Sequence, residues 1–256
     1  MNYTITAYST ALFSTWIFIE ELGLLFDAGD GVASGLLQKS RKIKHVFISH
    51  AGRDHLTGLM QLNQLNSRQG FPKIYYPHDC GSFPFLETFL NKFDPHVKGT
   101  EWIPIREQME FHLKGEIQVE SIRNGHVLAE ANKTKSLSYV VVKKKRKLKS
   151  EFVTLSGKEI AQISKEKGRA FLSHEIKERL IGFSGDTPVE DYERWNNTKI
   201  LIHEATFLDD SVKHKPSANK HSNLEDVMKM VSSINIEQLI LNHFSSRYSE
   251  EEIHTT

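Results

Sequence analysis

The stretch Val46-Phe47-Ile48-Ser49-His50-Ala51-Gly52-Arg53-Asp54-His55-Leu56-Thr57-Gly58-Leu59 joins an apolar run, a polar turn and the start of a helical pattern. Val46–Ser49 is rich in β-branched and aromatic side chains, which predicts a short buried strand. From Leu56 onward apolar residues recur at helical spacing, which predicts a helix. Between them lies a turn with two His and one Asp. Because α/β proteins place their chemistry at such strand ends, we expect the functional site here.

The polar turn has two interpretations. His50, Asp54 and His55 stand as H-x-x-x-D-H, and imidazole together with carboxylate is what borderline divalent metals prefer, zinc first. The alternative is a helix cap, because an Asp at a helix start stabilises the first turn without any metal. The sequence of the turn alone does not distinguish a metal site from a helix cap, so the distinction depends on other parts of the chain.

Length and composition exclude several classes of protein. A chain of 256 residues with 39% hydrophobic and 25% charged residues fits one large globular domain or at most two small ones. A net charge of +1 excludes a global attraction to nucleic acid, so any such contact must be local. Cys80 is the only cysteine, which excludes an intrachain disulfide. With no signal-peptide pattern and no apolar run of ~20 residues, we expect a cytoplasmic protein that does not span a membrane.

Predicted strands from distant parts of the chain each end in a group that can bind metal or transfer a proton. The five strand ends carry His50, His126, Asp186, His203-Glu204 and His243. Such a repeated pattern indicates that one edge of a sheet system collects polar side chains. A divalent cation is the simplest species that holds so much imidazole and carboxylate together. Two metals roughly 3.5–4 Å apart suit phosphodiester hydrolysis.

Three further segments carry separate expectations. Asp27 and Asp30 are interpreted first as turn formers, because Asp side chains bond turn amides and the neighbouring glycines permit positive φ. The basic run Lys143–Lys149 either binds phosphates or forms an exposed, solvated hairpin. We expect a polar loop at Lys213–Lys220, and an amphipathic helix after it with Ser222 as N-cap.

The order of motifs along the chain resembles the ribonuclease Z family, the tRNA 3′-processing endonucleases of the metallo-β-lactamase superfamily. The turn at His50 resembles the superfamily signature H-x-H-x-D-H. Four later motifs carry the resemblance to this branch: Phe183-Ser184-Gly185-Asp186-Thr187, Leu201-Ile202-His203-Glu204-Ala205-Thr206-Phe207, His221-Ser222 and Leu239-Ile240-Leu241-Asn242-His243-Phe244-Ser245-Ser246-Arg247-Tyr248. The resemblance runs from about residue 22 to residue 248. It implies an α/β fold, a four-layer αβ/βα sandwich of two mixed sheets, with residues 1–256 as one domain.

The resemblance also implies a metal site with Zn²⁺, one or two ions, and Mn²⁺ as an alternative. It implies that His50 and His126 bind one metal, that Asp54, His55 and His243 bind the other, and that Asp186 bridges them. The segment Leu24–Gly31 resembles the family's early strand–turn element, which supports the site from behind without binding metal.

Three further roles follow from the same resemblance. Asp54 would orient or deprotonate the attacking water. Glu204 and His221 would form a relay that protonates the leaving oxygen, with the Glu favouring the charged imidazole. Arg247 would contact a substrate phosphate or brace the site. His203 is left out, because neighbouring residues on a strand point in opposite directions.

The chain departs from the family pattern in two places. Gly52 stands where the signature has its second His, so the first metal loses a ligand. We therefore expect the Asp54–His55–Asp186–His243 site to be better occupied. The family's protruding arm, rich in Gly and Pro at its tip, would fall within residues 143–180. That segment has no Pro and only Gly157 and Gly168, so we expect a shortened or altered arm.

Three hypotheses follow. The first is a metal-dependent endonuclease acting on tRNA precursors. The second is a metallo-phosphodiesterase of the same fold with a small or different phosphoester substrate, which the altered arm favours. The third is a catalytically impaired relative that binds RNA or a partner, which Gly52 suggests. The presence together of Asp54, Asp186, Glu204, His221 and His243 argues against this third hypothesis. The resemblance further implies a homodimer.

Overall fold

Two six-stranded sheets organise the computed structural model, which describes residues 2–209 and 220–256. The first sheet has the order β1 (Ile5–Thr10), β2 (Ser14–Ile19), β3 (Leu24–Phe26), β4 (His45–Phe47), β5 (Lys73–Pro77), β6 (Glu101–Ile105). The second sheet has the order β12 (Ile236–Asn242), β11 (Thr198–Glu204), β10 (Ser173–Phe183), β9 (Leu137–Leu148), β8 (Ile117–Arg123), β7 (Glu110–Lys114). Both sheets contain parallel and antiparallel pairs, which confirms the predicted mixed sheets.

The described residues form eight α-helices, which are interspersed with the strands along the chain. They are α1 (Val32–Leu36), α2 (Arg53–Leu56), α3 (Leu59–Asn66), α4 (Ser82–Phe93), α5 (Gly157–Lys167), α6 (Arg169–Leu172), α7 (Leu224–Ser233) and α8 (Glu250–Thr255). The predicted N-cap of α7 is wrong by one residue. Asn223 caps the helix by accepting from the Asp226 amide, while Ser222 Oγ donates to the Thr187 carbonyl. Residues 213–219 of the predicted polar loop lie outside the described residues.

Apolar side chains divide the molecule into four layers. The inner faces of the two sheets share a core of stacked aromatic rings, with Phe26 and Phe183 centroids 4.8 Å apart. The outer face of the first sheet is covered by α1, α3 and α4 through Val32, Leu59 and Phe83. The outer face of the second sheet is covered by α7 through Val227 and Met230. The helix–sheet–sheet–helix order predicted from the resemblance is confirmed.

Strand direction brings the predicted site residues to one edge. β10, β11 and β12 run parallel, and β8 runs the same way because two antiparallel pairings separate it from β10. Their carboxyl ends therefore meet at the same edge of the second sheet. The turn after β4 reaches this edge from the first sheet, since Leu137 donates its amide to the Ser49 carbonyl.

A two-stranded ribbon extends from the second sheet. Beyond Lys143, β9 has left β8 and pairs with the first half of β10, and α5 and α6 connect the two at the far end. Three lysines of the basic run are ion-paired, since Lys143 contacts Glu116, Lys144 contacts Glu110 and Lys145 contacts Glu178. In residues 2–209 and 220–256, no helix is both long enough and apolar enough to cross a membrane.

Candidate metal centre

The Asp186 carboxylate lies at the centre of the predicted ligands. Four imidazole Nε2 atoms face its oxygens: His55 at 3.3 Å, His243 at 3.4 Å, His50 at 3.8 Å and His126 at 3.9 Å. The sixth predicted ligand is also there, because Asp54 Oδ2 lies 3.4 Å from both His55 Nε2 and His243 Nε2. The structure thus brings together every residue that the sequence suggested as a ligand.

Hydrogen bonds at the opposite ring nitrogen fix the orientation of each imidazole. The Nδ1 atom of His55 lies 2.7 Å from Asp27 Oδ2, and that of His50 lies 3.0 Å from Ser49 Oγ. The Nδ1 atom of His126 lies 2.9 Å from the Lys220 carbonyl oxygen, and that of His243 lies 2.9 Å from Thr206 Oγ1. A carbonyl or carboxylate can only accept. The two hydroxyls already donate to carboxylates, Ser49 to Asp27 and Thr206 to Glu204. In the neutral rings Nδ1 therefore carries the proton, which leaves Nε2 as a free lone pair.

This arrangement fits a metal ion. Lone pairs of four rings and the oxygens of two carboxylates face one another, and such an assembly repels itself unless a cation lies among them. The buried Nε2 of His55 has no hydrogen-bond partner among the described residues. Ligand atoms of His50, His55 and Asp186 lie within 4.8 Å of one another, as do those of Asp54, His55 and His243. The donor set of imidazoles and carboxylates suits a borderline dication.

The electrostatics of the rings agree with this fit. Burial lowers the pKa of His126 and lowers that of His50 well below its usual range, so both rings favour the neutral, ligating form. Burial acts the same way on His55, but the Asp186 and Asp27 carboxylates outweigh it and raise the pKa of this ring. Positive charge is therefore favoured between His55 and the carboxylates.

Asp27 belongs to the site, and its first interpretation as a turn former is wrong. Its buried carboxylate accepts from the Ser49 amide at 2.7 Å, from Ser49 Oγ at 2.9 Å and from His55 Nδ1 at 2.7 Å. It therefore orients His55 directly and His50 through the Ser49 hydroxyl. The signal in the sequence was the resemblance of Leu24–Gly31 to the supporting strand–turn element.

Asp54 faces the ligands instead of capping its helix. The N-cap of α2 is Gly52, and no side chain of the described residues caps this helix. Asp54 Oδ2 accepts from the Leu12 amide at 3.0 Å and lies near His55 and His243. Burial alone would raise the pKa of Asp54, but the adjacent His243 and His55 imidazoles lower it well below its usual range.

Glu204 and His221 form a buried pair beside the ligands. Glu204 Oε1 lies 3.0 Å from His221 Nδ1 and accepts from the Thr187 amide at 2.6 Å. Burial opposes charge on His221, but the Glu204 carboxylate raises the pKa of this ring to about 9. Thr206, which the sequence reasoning did not single out, donates to Glu204 Oε2 at 2.5 Å and contacts His243 Nδ1 at 2.9 Å. It thus links the relay to a ligand.

A cavity of about 270 Å³ opens onto this cluster. Arg247 lines its mouth, with its guanidinium 5.5 Å from the Phe207 ring centroid. No carboxylate of the described residues forms an ion pair with Arg247, so its charge is available to a ligand. His203 lies outside the cavity, buried against Trp195, as its omission from the site predicted.

Gly52 leaves room that His50 fills. A Cβ at position 52 would lie 2.4 Å from His50 Nε2 and 3.0 Å from His55 Cδ2. A second cavity lies beside Gly52 and is also lined by His50 and His126. The ring of His50 thus occupies the space into which a side chain at position 52 would extend.

Comparisons with known proteins agree with this geometry. Residues 24–149 match the model of the beta-lactamase superfamily domain. The chain is 32% identical to ribonuclease Z of Halalkalibacterium halodurans, over 91% of this chain and 82% of that protein. It is 31% identical to ribonuclease Z of Methanocaldococcus jannaschii, over 89% of this chain and 78% of that protein. Among solved structures, human tRNase Z, short form, has a TM-score of 0.65 at 22% identity, covering 97% and 94% of the two chains.

The fold and the cluster of His and Asp side chains define a metallo-hydrolase of the metallo-β-lactamase superfamily. The 32% and 31% identity with two proteins named ribonuclease Z identifies the family within this superfamily. The chain belongs to the ribonuclease Z family.

Proposed function

We propose that this chain is a metal-dependent endoribonuclease that cleaves tRNA precursors at their 3′ ends. One observation carries the proposal: four imidazole nitrogens and two carboxylates converge beside a buried Glu–His pair. The substrate class is supported by relatives named ribonuclease Z and tRNase Z. A nuclease needs a site for the attacking water and a proton for the leaving oxygen, and the described residues offer candidates for both.

The proposed metal ligands fall into two groups. Asp54, His55, Asp186 and His243 would hold one ion, and His50, His126 and Asp186 would hold the other. Because Gly52 supplies no third imidazole, the first group is the better occupied. The ion is Zn²⁺ in this proposal, with Mn²⁺ as an alternative, and two ions are the upper limit. When bound, a divalent cation lowers the pKa of water and offsets phosphate charge.

Two residues position the reacting groups. Asp54 lies at the cavity with Oδ2 accepting from the Leu12 amide, and no described residue donates a hydrogen bond to its Oδ1, which is available to orient a water. His221 presents Nε2 while Glu204 holds Nδ1, so the charged ring can donate its Nε2 proton to the leaving ribose oxygen. Arg247 is the candidate contact for a substrate phosphate, because its charge is unpaired among the described residues and lines the mouth.

The ribbon of β9 and β10 is the proposed RNA contact away from the site. Residues 143–179, which span the paired strands and their helical tip, hold twelve Lys or Arg residues and five Glu residues, in a chain whose net charge is +1. The rest of the chain is therefore net acidic, which supports the ribbon as a part of the molecule that attracts a phosphate backbone. This segment keeps a helical tip, α5, in place of the Gly- and Pro-rich tip of the family.

A second candidate function remains, a phosphodiesterase acting on a smaller phosphoester. The observation that favours it is the ion pairing of Lys143, Lys144 and Lys145, which reduces the charge that the ribbon offers to RNA. The proposal extends to a cytoplasmic homodimer. Exposed aromatic residues along α4, Phe85, Phe89 and Phe93, provide an apolar face that supports association.

The test compares two substrates. The purified chain, supplied with Zn²⁺ or Mn²⁺, is assayed on a tRNA precursor and on bis(p-nitrophenyl) phosphate. We expect cleavage of the RNA at its 3′ side, loss of both activities in Asp186→Ala, and no change in His78→Ala, whose exposed ring lies outside the site. Hydrolysis of the small diester alone would favour the second candidate, and hydrolysis of neither would overturn both.

A further inference from the structure

The turn between β1 and β2 presents an apolar side chain at the mouth of the site. Leu12 is 85% exposed and, with Ala11, lines the same cavity as Asp54, His126 and His221. An apolar side chain exposed to this extent is ordinary on a surface when it stands alone. Its place beside reacting groups makes it a candidate contact for the substrate.

Three backbone hydrogen bonds hold the turn in a strained conformation. Leu12 has a φ of 70°, a value that a bulky L-residue adopts rarely. Its amide donates to Asp54 Oδ2 at 3.0 Å, the Ala11 amide donates to the Phe244 carbonyl at 3.0 Å, and the Phe13 amide donates to the Thr10 carbonyl at 3.1 Å. Strain maintained by surrounding bonds is characteristic of ligand-contacting segments.

The remaining lining of the mouth is aromatic and cationic. Phe207 and Arg247 line the same cavity, with the guanidinium over the ring. A ligand that contacts both the apolar and the cationic lining needs a flat apolar surface to pack on Leu12 and an adjacent anion to pair with Arg247. A nucleotide has this combination, since its base has an apolar face and its phosphate is charged.

We propose that Leu12 is a nucleobase platform: the base of a nucleotide that flanks the scissile phosphate packs against its side chain. The inference rests on the proposed function and deepens it, because it makes Leu12 a residue that distinguishes RNA from small phosphodiesters. Base packing on an apolar face tolerates every base, so the contact selects for nucleotides without selecting a sequence. The Leu12 amide, through its bond to Asp54, places this base in fixed relation to the reacting groups.

The kinetic test replaces Leu12 by Asn, a residue that tolerates positive φ and keeps the amide donor to Asp54. We expect Leu12→Asn to lower kcat/KM for RNA about tenfold more than kcat/KM for bis(p-nitrophenyl) phosphate, mainly through KM. Leu12→Phe should retain the preference for RNA, because an aromatic ring also packs on a base. The matched control is Phe85→Asn, which removes a side chain that is 78% exposed on α4, away from the site. Equal losses on both substrates in Leu12→Asn would overturn the inference.

A binding measurement separates this inference from the proposed function. RNA carrying 2-aminopurine on either side of the scissile phosphate is added to His221→Ala protein, in which cleavage is slowed. Packing of the base should quench the fluorescence of 2-aminopurine. Introducing the Leu12→Asn substitution into the His221→Ala protein should remove most of that quenching. If wild-type protein leaves RNA uncut but the quenching depends on Leu12, the nuclease function fails and the platform stands. If the quenching is the same with and without the Leu12 side chain, the platform is rejected whatever the activity.

Discussion

Gly52 is the residue at which this chain differs most from the superfamily signature. The Nε2 of His50 lies 2.4 Å from where a Cβ at this position would be. Any side chain here must therefore displace the His50 ring. Two substitutions at position 52 separate displacement of the His50 ring from the gain of a metal ligand. Ala adds only the Cβ that displaces the ring, whereas His adds this Cβ and an imidazole that can bind metal.

We predict that Gly52→Ala lowers the metal content per chain and that Gly52→His raises it toward two. The reason is that displacing His50 weakens the His50–His126–Asp186 group unless the new imidazole replaces what is lost. Elemental mass spectrometry on protein purified without added metal measures the outcome. If Gly52→His binds no more metal than Gly52→Ala, position 52 cannot contribute a ligand in this backbone.

Glu204→Gln tests the relay through the chemistry of the leaving group. We predict a fall in kcat of roughly 10²- to 10⁴-fold on RNA, because the ribose oxygen needs a proton as it leaves. The fall on bis(p-nitrophenyl) phosphate should be much smaller, since p-nitrophenolate departs without one. Steady-state kinetics on both substrates measure the difference, and Glu193→Gln is a control whose side chain is outside the cavity. An equal loss on both would assign Glu204 a structural role.

Among the elements, β4 buries an ionisable residue in its first position. His45 is 6% exposed, with its ring stacked on Tyr75. Burial, with help from Lys73 and Lys44, lowers the pKa of His45 to about 4. The folded protein therefore keeps this ring neutral where the unfolded chain protonates it.

Stability should consequently fall with acidification, and His45→Phe should reduce the fall. Above pH 6.5 the ring is neutral in both states, and between 6.5 and about 4 only the unfolded chain gains the proton. The loss of unfolding free energy across this range is roughly 3 kcal/mol for this residue. Urea unfolding of both proteins at several pH values measures it. Parallel curves for wild type and variant from pH 7 to 4 would contradict the assignment.

The ribbon of β9 and β10 contains both paired and unpaired basic residues. Lys145 pairs with Glu178, whereas Lys147 is exposed and forms no ion pair with the described residues. We predict that Lys147→Ala weakens RNA binding and reduces the slope of log K against log salt by about 0.7–0.9. Lys145→Ala should change the slope less, because its charge is already offset. Filter binding at several salt concentrations tests this, and equal slopes in the two variants would rule out the distinction.

The elements also indicate how far sequence alone could reach. The strands that end in His50, Asp186 and His243 followed from apolar runs that stop at polar groups, and these local patterns needed no tertiary information. The hydrogen bonds of Asp27 did not follow from any local pattern, because they join residues more than twenty positions apart, and only the resemblance of Leu24–Gly31 to a supporting element placed this residue behind the site. The cap of α7 was misplaced because Ser222 and Asn223 are both good caps, and only the bond from Ser222 to Thr187 distinguishes them.

At the scale of the whole molecule, the ligands come from both sheets. His50, Asp54 and His55 follow β4 of the first sheet, while His126, Asp186 and His243 follow strands of the second. A bound ion would therefore connect the two halves of the sandwich. Because the unfolded chain does not assemble this site, a bound metal would contribute directly to folding stability.

We predict that stripping metal with a chelator lowers the Tm and that restoring Zn²⁺ reverses the change. A free metal concentration about 1,000 times Kd corresponds to about 4 kcal/mol of stabilisation. Differential scanning calorimetry measures the shift, with Asp186→Ala as a variant whose Tm should respond little to metal. A wild-type Tm that is indifferent to chelation would mean that no stably bound ion links the sheets.

The contact between the first strand and the last ligand has a consequence for how the protein is made. The His243 amide donates to Ser9 Oγ across 234 positions, and the Ala11 amide donates to the Phe244 carbonyl. During synthesis the β1–β2 turn emerges from the ribosome long before the residues that hold it. A nascent chain that lacks the segment around His243 lacks its last proposed metal ligand and the carbonyl that accepts from the Ala11 amide, so we expect it to be inactive toward RNA. Because translation proceeds from residue 1 toward His243, we expect no cleavage of RNA until the segment around His243 has left the ribosome.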